Sequence, residues 1–227
     1  MIRYPYLLLD ADNTLFNFDA GNRNAFREVC LQCDIPYTDE NFALYEACNN
    51  EMWTLFDRGE CTKDFLVIER FRRFLDRLQL DRDPALCNHV HLSALAQNQI
   101  LMPHAEEVCR TLAKDHYLYL VTNAVAAVQK KRLSQSVLLP YISGAFISEE
   151  AGANKPSVAY FDYVFSHVDG LTKENCIVIG DSLSSDIQGA NNYGLPCCWY
   201  NPKKITHPRN LKIDFEITDL LDLYNIV

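Results

Sequence analysis

The 227-residue chain lacks any long hydrophobic run. Its first apolar stretch, "YLLL", stops at Asp10. That is too short for the core of a secretory signal, and no segment approaches the roughly 20 residues of a membrane span. Cations are also short: 21 Lys and Arg stand against 30 Asp and Glu, leaving a net charge of −9. Such a balance argues against nucleic-acid polymers and anionic membranes as partners. It does not exclude a small anionic substrate, because a local group of cations and a metal outweighs a diffuse charge. Cys30 and Cys33 form a CxxC with no second CxxC to complete a zinc site. The nine cysteines are odd in number and scattered, so they read as core thiols of a reduced, cytoplasmic protein. None of the six histidines falls in a metal-ligand pattern. No GxGxxG follows the first apolar run, which removes the nucleotide-binding dehydrogenases. Internal repeats and low-complexity segments are absent. What remains is ordinary globular material, 48% hydrophobic and 22% charged, enough for one generous domain or a core with an inserted subdomain.

Three short apolar runs are present, and each ends in polar residues: "YLLLDAD", "YLYLVTN" and "CIVIGD". They have the length and content of buried parallel strands, with little alternation. "SGAFISEE", "PCCWYN" and "DFEIT" continue the series. Helical patterns lie between them: "HAEEVCRTLAKD", "AAVQKKRLSQS", "SVAYFDYVFSHV" and "SSDIQGANNYG". Alternating strand and helix imply an α/β fold, a parallel sheet covered on both faces.

Residues 16–98 break this rhythm with four helical stretches and no convincing strand. In the third stretch, Phe65, Ile68, Phe71, Phe74, Leu75 and Leu78 trace an apolar stripe at helical spacing. The expectation is an α/β catalytic core of residues 1–15 and 99–227, interrupted by an all-helical insertion over 16–98.

Ligands of open parallel sheets bind outside the carboxyl ends of the strands. Asp10 and Asp12, Thr122 and Asn123, and Asp181 with Asp186 all fall there, and Lys155 follows the fourth strand candidate. One such residue alone reads as a helix cap; the whole set reads as a phosphoryl-transfer site. Asp10 can act as nucleophile, forming an acyl phosphate. Asp10 and Asp181 offer hard oxygen ligands to Mg²⁺. Thr122 can hydrogen-bond a phosphate oxygen, and Lys155 can neutralise its charge. Asp12 can protonate the leaving oxygen and then take a proton from water. Two acids at the end of a core strand are thus explained by a metal and a lysine that pair with them.

With these motifs in order (Asp10-Ala-Asp12-Asn-Thr14, Thr122-Asn123, Lys155-Pro156, and Gly180-Asp181 with Asp186), the chain resembles the haloacid dehalogenase superfamily of phosphatases. The resemblance implies a Rossmann-like core, a helical cap inserted after the first motif, a phosphoaspartate at Asp10 and Mg²⁺. It further implies that the Asp12 carbonyl ligates the metal and that Asp186 supports it directly or through water, so the metal set is Asp10, Asp12, Asp181 and Asp186. The phosphate-binding set is Thr122, Asn123 and Lys155. Asp12 favours ester hydrolysis over dehalogenation, since a halide leaves without a proton.

"DADNTLFNFD", "NNEMWTLFDRG", "ISEEAGANKP" and "CCWYN" are similar to the pyrimidine 5'-nucleotidase branch, which implies nucleoside monophosphates such as UMP, dUMP and dTMP as substrates. Ala124 stands where a glycine is usual, and Asn154 where a small apolar residue is common. Phe16 and Phe18 either stack a nucleobase or close a hydrophobic seam. Asn49, Asn50 and Trp53 share about one helical turn; Asn49 and Trp53 are candidate leaving-group contacts, with packing the simpler role for Trp53. The rival readings are a sugar-phosphate phosphatase, a phosphosugar mutase and a non-catalytic phosphate sensor.

Overall fold

Each of the six apolar runs forms a strand in the computed structural model, which describes residues 3–206 and 210–227. In chain order these are β1 (Tyr6–Leu9), β2 (Tyr117–Thr122), β3 (Gly144–Ile147), β4 (Cys176–Gly180), β5 (Cys197–Tyr200) and β6 (Phe215–Ile217). They form one sheet in the order β3-β2-β1-β4-β5-β6, and every pairing is parallel. The order reverses at β1, so the crevice between β1 and β4 is the switch point where ligands collect in such sheets. Leu9 lies level with Leu120 on one side and Ile179 on the other. Asp10, Val121 and Gly180 therefore follow at the same edge.

Alternate strand residues feed two cores. Leu7, Leu9, Leu118, Leu120, Ile177 and Ile179 pack on one face with Val108 and Leu112 of α5 (Ala105–Leu112). Leu8, Val121 and Val178 pack on the other with Tyr160, Phe161 and Val164 of α8 (Val158–Ser166). Burial on both faces is what makes these strands read as continuous apolar runs. α6 (Ala126–Ser134) follows β2, and the single turn α7 (Ser148–Ala151) follows β3. The helix expected at "SSDIQGANNYG" starts as a π turn, Leu183–Ile187, and becomes α9 (Gln188–Tyr193). The wider turn arises because the Ile187 N–H reaches back to the Ser182 carbonyl.

The chain divides into two compact units, Met1–Phe18 with Gln99–Val227, and Asp19–Asn98. The division lies beyond the expected break after residue 15. Phe16 bridges to Leu101, and the Asn17 N–H donates to the Ile100 carbonyl at 2.9 Å, which keeps Phe16 and Phe18 with the sheet.

The second unit consists of α1 (Phe18–Gln32, from Asp19 onward), α2 (Asp39–Asp57), α3 (Lys63–Leu78) and α4 (Pro84–Ala96). Thr38, Thr62 and Asp83 cap α2, α3 and α4 by accepting from the Asn41, Phe65 and Ala85 N–H groups. Phe26, Tyr45, Phe71 and Phe74 centre its core. The stripe expected on α3 is rotated. Phe65 and Ile68 are exposed, at 54% and 40%, and the buried face is Leu66, Val67, Arg70, Phe71, Phe74 and Leu75. That face repeats at four-residue spacing and packs on α2 and α4, leaving Phe65 and Ile68 at its margin. The buried Arg70 has neutral partners. Its nitrogens donate to the Val67 carbonyl, Asn49 Oδ1 and Asn88 Oδ1, and lie 3.3 Å from His91 Nδ1. Among the described residues, no helix is long and apolar enough to cross a membrane.

Candidate active site

β1 delivers Asp10 to the carboxyl edge, where its N–H donates to the Ile179 carbonyl at 2.8 Å. The loop after α7 delivers Lys155, whose side chain is fully buried. Its ammonium donates to Asp10 Oδ1 at 2.7 Å, Asp186 Oδ1 at 2.6 Å and the Val121 carbonyl at 2.7 Å. Three protons thus meet three acceptors. Asn123 fixes the lysine's backbone: its Nδ2 donates to the Lys155 carbonyl and its Oδ1 accepts from the Lys155 N–H, both at 2.9 Å. The Asn123 side chain, expected at the phosphate, is engaged in this reciprocal clamp. Thr122 is buried beside it, and its Oγ1 accepts from the Ala124 N–H at 3.1 Å.

β4 ends at Gly180, and the side chain of Asp186 folds back against it. A Cβ at Gly180 would overlap the Asp186 carboxylate, so only glycine permits this approach. Asp186 Oδ2 accepts from the Ser182 N–H at 3.0 Å, and Trp199 Nε1 donates to the Asp181 carbonyl at 2.9 Å. Carboxylate oxygens of Asp10, Asp181 and Asp186 lie within 4.8 Å of one another.

Crowding of these acids shifts their ionisation. Burial raises Asp10; Lys155 opposes this and Asp186 adds to it, and the group is pushed up to about 7. Burial, then Asp10 and Asp186, push Asp181 up to about 9. Burial works against the Lys155 charge, but Asp10 and Asp186 more than offset it and hold the ammonium above the usual lysine range. Three hard oxygen donors that one lysine leaves under-neutralised fit a divalent cation such as Mg²⁺.

Asp12 has a different partner. Arg132 of α6, itself buried, donates from Nη2 to Asp12 Oδ1 and to Gln129 Oε1. The sequence assigned both acids of the first motif to a metal and Lys155; Lys155 pairs with Asp10, and it is the arginine that pairs with the carboxylate of Asp12. The Arg132 guanidinium lies 4.4 Å from the centroid of the Phe16 ring. Phe16 is fully buried and part of the core beside the sheet, so it presents no face to a nucleobase. Phe18 is half-buried at the start of α1. In the helical unit Asn49 is buried and accepts from Arg70 at 2.9 Å, which engages its side-chain oxygen internally. Trp53 is half-buried and packs edge-on against Phe56, with centroids 5.5 Å apart.

Arg132 and Gln129 carried no usable signal: "VQKKRLSQ" reads as the basic, solvated face of a helix. The Asn123 clamp was equally hidden, because a side chain bonded to a distant backbone leaves no periodicity.

Residues 4–194 match the family model of the haloacid dehalogenase-like hydrolases. YfnB of Bacillus subtilis, named as a HAD-hydrolase, is 35% identical over 227 residues, spanning 100% of this chain and 97% of its own. The crystal structure of YfnB, described as bound to magnesium, superposes with a TM-score of 0.94 over 99% of this chain and 98% of its own. The pyrimidine 5'-nucleotidase PynA of Streptococcus pneumoniae is 31% identical over 97% of this chain and 93% of its own. YjjG of Escherichia coli, of the same description, is 27% identical over 100% and 99%. With these matches and the carboxylate–lysine site on the sheet edge, the chain belongs to the haloacid dehalogenase-like hydrolases.

Proposed function

We propose that this hydrolase is a Mg²⁺-dependent phosphomonoesterase acting on nucleoside 5'-monophosphates, with pyrimidine nucleotides such as UMP, dUMP and dTMP preferred. The observation that carries the reading is Lys155 bridging Asp10 and Asp186 beside the Asp10, Asp181 and Asp186 cluster. This is a nucleophile held against its own cation within an acidic cluster suited to a divalent metal. The base preference draws support from PynA and YjjG, each described as a pyrimidine 5'-nucleotidase.

In this reading Asp10 attacks phosphorus, forming an acyl phosphate and releasing the nucleoside. Lys155 opposes the effect of burial on Asp10 and favours its ionised form. Asp12 gives a proton to the departing ester oxygen, then removes one from the water that hydrolyses the acyl phosphate. Thr122 has a hydroxyl proton to offer a phosphate oxygen, and Asn123 sets the position of Lys155. Mg²⁺ held by Asp10, Asp181 and Asp186, with the Asp12 carbonyl also contributing, would offset the negative charge of nucleophile and phosphate. On the leaving-group side the proposal retains Phe18, a sequence candidate of the sheet unit that is half-buried.

The test is phosphate release, with Mg²⁺, from pyrimidine and purine nucleoside monophosphates, sugar phosphates and an aryl phosphate, with Asp10→Asn assayed beside the wild type. The expected outcome is a preference for UMP, dUMP or dTMP that vanishes in the variant. A preference for sugar phosphates would retain the chemistry and remove the nucleotide assignment. Wild-type turnover by Asp10→Asn would remove the mechanism.

A further inference from the structure

We propose that Arg132 is a positioning residue that fixes the working orientation of Asp12, a role that rests on the phosphomonoesterase reading. Arg132 is buried to 1% side-chain exposure, whereas the Asp12 side chain is 27% exposed. Its Nη2 donates to Asp12 Oδ1, while Gln129, one helical turn away on α6, turns its own Oε1 toward the same nitrogen. The guanidinium carbon lies over the Phe16 ring, 4.4 Å from its centroid, and Phe16 is bridged to Asp12. One side chain on α6 therefore grips both ends of the loop that carries the acid/base.

Burying a guanidinium is costly, and the cost is recovered only with complete hydrogen bonding. Among the described residues, Arg132 Nε and Nη1 and Gln129 Nε2 are buried with no protein acceptor in reach. A cation kept for structure alone would be expected to find carbonyl acceptors for those nitrogens, as Arg70 does in the helical unit. Arg132 is instead committed, through one nitrogen, to one carboxylate oxygen and the Gln129 amide oxygen. With Oδ1 held, Oδ2 is the oxygen that exchanges protons with the leaving group and then with water. Both steps need that oxygen in one place, and misplacement by about 1 Å costs on the order of 10²-fold in rate. Lysine would carry the charge but lacks the planar, delocalised guanidinium that lies over Phe16.

The experiment is a double-mutant cycle. Wild type, Arg132→Met, Asp12→Asn and the double variant are assayed for phosphate release with Mg²⁺ on the best ester of the panel, recording kcat and KM separately. Arg132→Met is expected to lower kcat by about 10–100-fold with KM changed by less than about threefold. In the Asp12→Asn background the same substitution should cost less than about threefold, since there is no acid/base left to position. Arg132→Lys should recover part of the loss. A loss in the double variant equal to the product of the single losses overturns the proposal, as does a wild-type kcat in Arg132→Met or an effect confined to KM. If circular dichroism shows Arg132→Met unfolded, Arg132→Lys takes its place in the cycle under the same criteria. Failure of the underlying reading looks different: the wild type itself releases no phosphate from any ester, and the role falls with it.

Discussion

Lys155 shows how much of the site depends on a single charge. Its ammonium separates two buried carboxylates, Asp10 and Asp186, and has no exposure of its own. Replacing it with methionine keeps the volume and leaves the acids facing each other uncompensated. The expected result for Lys155→Met is a loss of about 3–5 kcal/mol in metal-free buffer, the cost of removing one partner from a buried ionic group. Turnover should fall by at least about 10²–10³-fold, as for loss of a single electrostatic donor. Urea denaturation at neutral pH checks the first figure and phosphate release the second. Unchanged stability would show that the carboxylates are neutral in the fold. Asp12 tests a smaller effect: Asp12→Asn keeps the size and the acceptor for Arg132 but gives up proton transfer. A slowing of about 10²–10⁴-fold is expected, measured as kcat.

At the scale of secondary-structure elements, the β4–π-turn junction depends on one missing methyl group. Gly180→Ala would drive a Cβ into the Asp186 carboxylate. The variant should lose about 1–3 kcal/mol, the usual range for overpacking, and bind Mg²⁺ more weakly, which thermal melts with and without the ion would show. Melts identical to wild type would mean that Asp186 moves aside freely. These strand ends were legible in the sequence, because a strand buried on both faces is an unbroken apolar run and its polar stop marks the sheet edge. Asp10, Thr122, Lys155, Asp181 and Asp186 were found on that basis. Arg132, the rotated face of α3 and the π turn were not, since each depends on what a distant element packs against it. The polar network inside the helical unit was hidden for the same reason, yet it has a measurable consequence. Arg70 only donates, so its contact at His91 Nδ1 makes that nitrogen an acceptor, and His91 Nε2 donates to Asn22 Oδ1 at 2.9 Å. Burial, then the Arg70 charge, holds His91 neutral, well below the usual histidine range. The unfolded chain takes up this proton below about pH 6.5 and the folded chain does not. Stability is therefore complete above that pH and declines below it, by up to about 1.4 kcal/mol per pH unit until the folded group titrates. His91→Gln should flatten that part of the profile.

For the whole molecule, the shifted acids of the active site act in the opposite direction. Asp10 and Asp181 titrate near 3.8 when unfolded, and about 7 and about 9 when folded. Between those values the folded protein holds protons that the unfolded chain has lost. Without metal, stability should therefore be greatest in acid and decline as the pH rises from about 4 toward 9. His91 opposes this decline below about 6.5, so the fall in EDTA should be steepest in the narrow range just above that point, before Asp10 loses its proton near about 7, and should then continue through Asp181. A divalent cation on the three carboxylates reverses the balance, because it binds their ionised forms. At 100 times its dissociation constant it adds about 2.7 kcal/mol, and more of that gain should appear at pH 8.5 than at pH 5.5. Melting curves across this range, in EDTA and in excess Mg²⁺, separate the contributions. The difference between the two series should widen with pH in the wild type and shrink in Asp181→Asn. If the alkaline decline persists unchanged in Mg²⁺, then Asp10, Asp181 and Asp186 do not hold the metal, and the chemistry assigned to this edge of the sheet must be reassigned.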